Sequence, residues 1–191
     1  MKIYFTAAVS LSNYYGENYK MIVDVLEKLG HQVIHQHITS SNLDKIFSKS
    51  RQENVEFYKK IVKEMNKTDV VVAEVSFPST LNVGHEVSLA LEKGKPVIAL
   101  YTSEKSSPFF EGINNDLLFY QEYQKQDLDS FLPKLLEEVV KRADVRFNFF
   151  ISPEIGRYLD WVNQKRKVPR AVFLRSLLEK AMKLDKEFDE E

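Results

Sequence analysis

One carboxylate stands out by its setting. In VVVAEVSFPSTLNVGHEVSLALEKGKPVIALY, residues 70–101, Glu86 follows Gly84 and His85 where a polar loop passes into an amphipathic segment. A helix N-terminus carries free N–H groups and partial positive charge, so an acidic residue there is favoured in its ionised form. Such a carboxylate is a nucleophile or a general base if it faces a ligand, and a dipole-complementing residue if it does not. His85 beside it is of the residue type whose unperturbed pKa suits a proton donor. A histidine beside a loop more often fills space and makes one hydrogen bond, and that reading is favoured. HQVIHQH places His31, His35 and His37 close together, and on a strand His35 and His37 would share a face as a metal pair does. No carboxylate belongs to that run, so a metal site is not expected. The six glycines form neither GxGxxG nor GxxxxGK, so no phosphate loop is present and no cofactor is expected.

The elements that would position Glu86 alternate between strands and amphipathic helices. KIYFTAAV reads as a strand. ENYKMIVDVLEKLG reads as a helix with Met21, Ile22, Val25, Leu26 and Leu29 apolar and Gly30 as its C-cap. HQVIHQHI is a second strand. NVEFYKKIVKEMNK is a helix with Val55, Phe57, Tyr58, Ile61, Val62 and Met65 on one face. DVVVAEV and KPVIALY are β-branched runs suited to strands covered on both sides. Asp69 opens the first of these runs and Glu74 lies near its carboxyl end, close enough to orient the loop or reach a pocket. VGHEVSLALEKG between them is a helix ended by Gly94. LDSFLPKLLEEVVKRA closes the unit, with Pro133 tolerable near a first turn. Four or five strands with intervening helices make a doubly wound parallel α/β domain over residues 1–143. Such sheets bind ligands beyond the carboxyl ends of their strands, which puts Glu86 at the functional rim. A rim carboxylate supports little packing, so replacing it is expected to leave stability unchanged.

Composition narrows the class. The chain has 191 residues, 43% hydrophobic and 12% aromatic, enough for one full core and a small annex. With no cysteine, disulfides, thiolate zinc sites and thiol catalysis are excluded. The formal charge of -1 argues against whole-protein attraction to nucleic acid or anionic lipid. Charge is nonetheless segregated: residues 141–183 carry a net +7, and the acidic tail 184–191 carries -4. No apolar run is long enough to span a bilayer, and a cytoplasmic protein without membrane contact is expected.

KIYF at the N-terminus, DVVVAEVSFPST and VGHEVSLALEKGKPVIALY together resemble the nucleoside 2-deoxyribosyltransferase family, including its deoxynucleoside 5'-monophosphate N-glycosidase branch. The resemblance implies a flavodoxin-like fold and a nucleoside or nucleotide as small-molecule substrate. It implies that Glu86 is the catalytic carboxylate, attacking the anomeric carbon and releasing the base as in a retaining glycosidase. Ser79 and Thr80 match the hydroxyl-bearing loop on the sugar or phosphate, with Asn82, Gly84 and His85 beside them. Tyr4 and the loop Ala7, Ala8, Ser10 match the opposite wall. The chain departs from the pattern in four places, one of them Asn82, which replaces a family Gly. The first loop lacks the Gly-Ser and Arg of monophosphate-specific members. Ile61 stands where an acidic residue is expected, with Glu56 and Glu64 as nearby substitutes, Glu64 being expected to point to solvent. His85 replaces an aromatic residue. The reading is an enzyme that cleaves or exchanges an N-glycosidic bond. The alternative is a nucleotide-sensing protein or DNA-binding regulator with a degenerate site.

Residues 144–183 read as a second unit. In VRFNFFI, Phe147, Phe149 and Ile151 face one way and Arg146, Asn148 and Phe150 the other. Ser152 then caps a helix with Pro153 at its first position, and another helix begins near Pro169. Strand, helix and helix in this spacing resemble a ribbon-helix-helix module, whose strands pair between two chains. The resemblance implies a homodimer or larger assembly, with dimerisation favoured over DNA binding.

Overall fold

The computed structural model describes residues 1–40, 48–142 and 150–185. The chain forms two compact units, Met1–Val145 and Arg146–Glu191.

The first unit is a five-stranded parallel sheet flanked by helices. In chain order its elements are β1 (Lys2–Ala7), α1 (Ser12–Lys28), β2 (Gln32–Ile34), α2 (Gln36–Thr39), α3 (Arg51–Asn66), β3 (Val70–Glu74), α4 (Leu81–Glu92), β4 (Val97–Thr102), α5 (Pro108–Glu111), β5 (Leu118–Tyr123) and α6 (Leu128–Arg142). The strand order is β2-β1-β3-β4-β5, with every pairing parallel. This is the flavodoxin-like order, whose switch point lies between β1 and β3.

Alternation along β1 builds both faces of the core. Ile3, Phe5 and Ala7 join Tyr19, Ile22 and Leu26 of α1 and Leu132, Leu136 and Val139 of α6. Tyr4 and Ala8 join Ile61 and Met65 of α3 and Val83 and Val87 of α4. β3 is buried at all five positions, as its β-branched run requires. Gly30 and Gly94 follow α1 and α4 at φ 82 and 70, left-handed positions that favour glycine. Asp69 opens β3 by accepting a bond from the Lys2 amide at 2.7 Å.

Four local expectations are corrected. α1 begins at Ser12 rather than Glu17, after a single 3₁₀ turn, Val9–Leu11. The second strand stops at Ile34 and the chain turns into α2, which takes His37 off the strand. Of the α3 face, Ile61 and Met65 are buried, whereas Val55 and Tyr58 are exposed. Pro133 is the sixth residue of α6. The helix forgoes one backbone bond there and is held by the buried stripe Leu132, Leu135, Leu136 and Val139. β5 was not anticipated as a distinct strand. Among the described residues no helix is long and apolar enough to cross a membrane.

The second unit comprises α7 (Pro153–Arg166) and α8 (Arg170–Leu184). The Ser152 side chain caps α7 by accepting from the Ile155 amide at 3.3 Å, with Pro153 at its first position. Tyr158 lies against Phe173 at 6.0 Å between ring centroids, and Asp160 pairs with Arg170, so the two helices meet. Leu159 and Val162 are buried, and α8 carries no buried residue. Of the expected strand Arg146–Ile151, residues 146–149 lie outside the described residues, as does the tail beyond Asp185.

Candidate active site

Glu86 is the sixth residue of α4, not a first-turn residue. The helix starts at Leu81, with Thr80 as its N-cap, and its inward stripe is Val83, Glu86, Val87, Ala90 and Leu91. That spacing is the apolar face of an amphipathic helix. One core position on that face is therefore a carboxylate. Each large apolar neighbour on the stripe stabilises the docking by roughly 1.5–3 kcal/mol, while Glu86 opposes it through desolvation. Its side chain points toward β1, where Tyr4 Oη donates to Glu86 Oε2 at 3.1 Å.

Burial is the main influence on this carboxyl group and raises its pKa. Thr6, Tyr4 and the neighbouring His85 each favour the charged form and moderate the rise. Thr6 Oγ1 faces the carboxylate without meeting strict hydrogen-bond geometry. The Tyr4 phenol is itself pushed up, first by burial and then by the Glu86 charge, so it stays a donor. The position inside the helix thus overturns the expectation of a carboxylate kept ionised by the dipole. Burial wins because Glu86 is 8% exposed and lies beyond the first turn, where the dipole acts.

Glu86 opens onto a cavity of about 510 Å³ at the β1–β3 switch point. Thr6, Ala7, Val9 and Ser10 form one wall, His37 and Ile38 of α2 a second. Lys49, Asn54, Phe57, Tyr58 and Ile61 form a third, and Thr80, Asn82, Val83 and His85 complete it around Glu86. Thr80 makes no side-chain cap bond, so its hydroxyl is not consumed by the helix. Tyr58 Oη and His85 Nε2 are hydrogen-bonded at 2.9 Å, which fixes the imidazole at the mouth of the cavity.

Of the residues singled out in the sequence, Ala7, Ser10, Thr80, Asn82, His85 and Glu86 share the cavity. Tyr4 lies beneath it, bonded to Glu86 but absent from the lining. Ala8 is buried, and its carbonyl accepts a bond from Tyr19 Oη at 3.1 Å. Ser79 is not in the lining, and its hydroxyl is buried without a hydrogen-bond partner. Gly84 also lies outside the lining, and a Cβ there would meet nothing within 4 Å. Ile61 is in the wall; Glu56 pairs with Lys59 at 2.8 Å on the surface, and Glu64 lies half-buried beside Tyr4 rather than in solvent.

His35 and His37 do not form a pair on one strand face. His35 Nε2 meets Glu27 at 3.3 Å and its Nδ1 meets Thr39 at 2.8 Å. His37 stacks on Tyr4 with ring centroids 4.8 Å apart, and burial, followed by the charges of His35 and Lys60, pushes its pKa down to about 4. Glu74 does not reach the cavity. It is buried on the opposite face of the sheet beside Ser76 and Tyr123, and burial pushes it up to about 7. Sequence reading missed His37, Lys49, Asn54, Phe57 and Tyr58 as wall residues. Phe57 and Tyr58 read as core because apolar spacing does not distinguish a face turned to the sheet from one turned to a cavity.

No family model matches the chain. A Thermofilum pendens protein named for 2'-deoxynucleoside 5'-phosphate N-hydrolase activity is 33% identical over 141 residues, covering 70% of this chain and 96% of its own. A Nematostella vectensis protein of the same name is 29% identical over 135 residues, covering 69% of this chain and 90% of its own. The 5-hydroxymethyl-dUMP N-hydrolase of Rattus norvegicus is 28% identical over 99 residues, covering 52% of this chain and 60% of its own. Among solved structures, the CMP N-glycosidase of Clostridium botulinum superposes with a TM-score of 0.50 at 16% identity, covering 72% of this chain and 99% of that one.

Proposed function

The chain belongs to the 2'-deoxynucleoside 5'-phosphate N-hydrolase family, whose members cleave an N-glycosidic bond, and we propose that it does so with Glu86 as nucleophile and water as final acceptor. The observation that carries this reading is a buried carboxylate, held by a phenol donor from β1, at the floor of a cavity at the sheet's switch point.

In the first step a Glu86 carboxylate oxygen attacks C1' as the bond to the base nitrogen breaks, with the bonding pair leaving on the base. His85, steadied by Tyr58, donates a proton to the departing nitrogen. In the second step His85 takes a proton from water, whose oxygen attacks C1' and frees Glu86, so both groups return to their starting states. Tyr4 is a positioning residue that keeps one Glu86 oxygen hydrogen-bonded while the other reacts. Thr80 and Ser10 supply hydroxyls for the sugar.

Incubation with a panel of 2'-deoxynucleosides, ribonucleosides and their 5'-monophosphates, with free base followed by chromatography, tests the proposal. Base release from at least one monophosphate is expected. Its absence across the whole panel would overturn it.

The second unit is proposed to join two copies of the chain. α8 leaves Val172, Leu178 and Leu184 exposed, and Phe150 and Ile151 are exposed as well. A pair of such units covers these side chains and satisfies the strand expected at residues 146–151. Removing all residues after Ala143 is expected to leave a monomer in light scattering. A truncated protein that keeps the full-length oligomeric state, or a monomeric full-length chain, would contradict the pairing.

A further inference from the structure

The cavity holds one fixed charge of each sign among its described lining residues. Glu86 is its one carboxylate and Lys49 its one lysine or arginine. Two histidines also line the wall: the lowered pKa of His37 keeps its ring neutral in the physiological range, and His85 is engaged with Tyr58 and gives its proton to the departing base, so neither is a fixed charge for a phosphate. Lys49 enters from the turn before α3, and its Nζ stands 3.8 Å from the centroid of the Phe57 ring, another wall residue. The ring face holds an ammonium in place without neutralising it. Glu53 lies close enough for Lys49 to favour its ionised form, yet its carboxylate is committed to the Ser50 capping box, accepting from the Ser50 amide at 2.7 Å. Asn54 Nδ2 donates to the Lys49 carbonyl at 3.4 Å and ties the turn to the first turn of α3.

The opposite wall offers no counterpart. The loop after β1 contributes Ala7, Val9 and Ser10, which is one hydroxyl and no cation. A phosphate dianion entering this cavity meets Glu86, and repulsion between like charges is strong where water is scarce. An opposing cation is needed on another wall.

Resting on the N-glycosidase reading, we propose that Lys49 selects 5'-monophosphates over unphosphorylated nucleosides, its ammonium meeting the phosphate while Glu86 faces the anomeric carbon. The phosphate is then read from the start of α3 instead of from the loop after β1. A lysine serves as a point charge with three rotatable donors, so an arginine at the same place keeps most of the discrimination.

The test separates binding from bond cleavage. Glu86→Gln protein is titrated calorimetrically with the four DNA 2'-deoxynucleoside 5'-monophosphates and the four matching nucleosides. The same titrations follow for Glu86→Gln combined with Lys49→Met or with Lys49→Arg. The readout is the ratio of monophosphate to nucleoside affinity. It is expected to fall roughly 10- to 100-fold with Lys49→Met and to recover largely with Lys49→Arg. Three results would overturn the proposal: no monophosphate preference in the Glu86→Gln parent, an unchanged ratio with Lys49→Met, or an equal fall with both Lys49 changes. Far-ultraviolet circular dichroism checks that each protein is folded, and half-buried Lys49 sits outside the core. A Lys49-dependent preference in a protein whose wild type releases no base leaves phosphate recognition standing and removes the N-glycosidase reading.

Discussion

Tyr4 and Glu86 are 82 residues apart in the chain, and the Tyr4 hydroxyl donates to Glu86 Oε2 at 3.1 Å in the buried interior. The bond joins the first strand of the sheet to the inward stripe of α4. It opposes the rise that burial imposes on the Glu86 pKa, so Tyr4 favours the ionised form of the carboxyl group.

Tyr4→Phe removes that donor and is expected to move the acidic limb of the kcat/KM pH profile to higher pH. The sign follows from the direction of the shift. Glu86 must be ionised to attack, its pKa is already raised, and losing a donor raises it further. Activity at low pH then falls more than activity at high pH. An unmoved acidic limb would remove Tyr4 from the mechanism.

His85→Gln is expected to lower kcat by roughly 10²- to 10⁴-fold, the usual worth of general acid catalysis. Tyr58→Phe frees the imidazole without deleting it and is expected to cost less. A kcat within about twofold of wild type after His85→Gln assigns the proton to another group.

Thr80→Ala is expected to raise KM more than it lowers kcat, because a hydroxyl that makes no cap bond positions the sugar without taking part in bond cleavage. Ser79→Ala is expected to leave KM unchanged, since Ser79 stands outside the cavity. The two substitutions had one expected effect from sequence, and steady-state kinetics on each separately tests the division.

Glu74 gives the fold a pH dependence of its own. Its folded pKa is pushed up to about 7 from an ordinary value of 4.5, chiefly by burial. A raised carboxyl pKa contributes stability that is fully present below the unfolded value and is lost as pH rises through the folded one. Unfolding stability is therefore expected to fall between pH 4.5 and about 7 and to level off above, by about 3 kcal/mol in order of magnitude. Glu74→Gln keeps an acceptor for Tyr123 and is expected to flatten this slope in thermal melts. A wild type whose melting temperature is constant over that range contradicts the account.

The layout of the sheet was legible because β1, β3 and β4 are nearly continuous apolar runs, and because Gly30 and Gly94 mark helix ends that need a left-handed residue. β5 escaped notice because it pairs on one side with β4 and exposes Gln121 and Glu122, so its pattern resembles a loop. Glu86 was legible as a rim carboxylate but not as a core one. The helix begins at Leu81, two residues before its apolar stripe announces it, and that offset turns a first-turn residue into a buried one. Lys49 and Tyr58 joined the site through the packing of α3 over the switch point, a relationship between distant segments that no local spacing encodes.

The central claim is that Glu86 carries the chemistry from a position where its charge is costly. Base release by wild type and by Glu86→Gln, measured side by side on the same 5'-monophosphates with parallel thermal melts, tests it most directly. Glu86→Gln is expected to lower turnover by at least about 10³-fold. Because the folded pKa of Glu86 is raised, its stabilising contribution belongs to low pH and is lost as pH rises, so a neutral amide is expected to raise the melting temperature above that folded value. This replaces the expectation of unchanged stability. Base release within about tenfold of wild type, with a melting temperature lowered by the substitution, would contradict both halves of the claim.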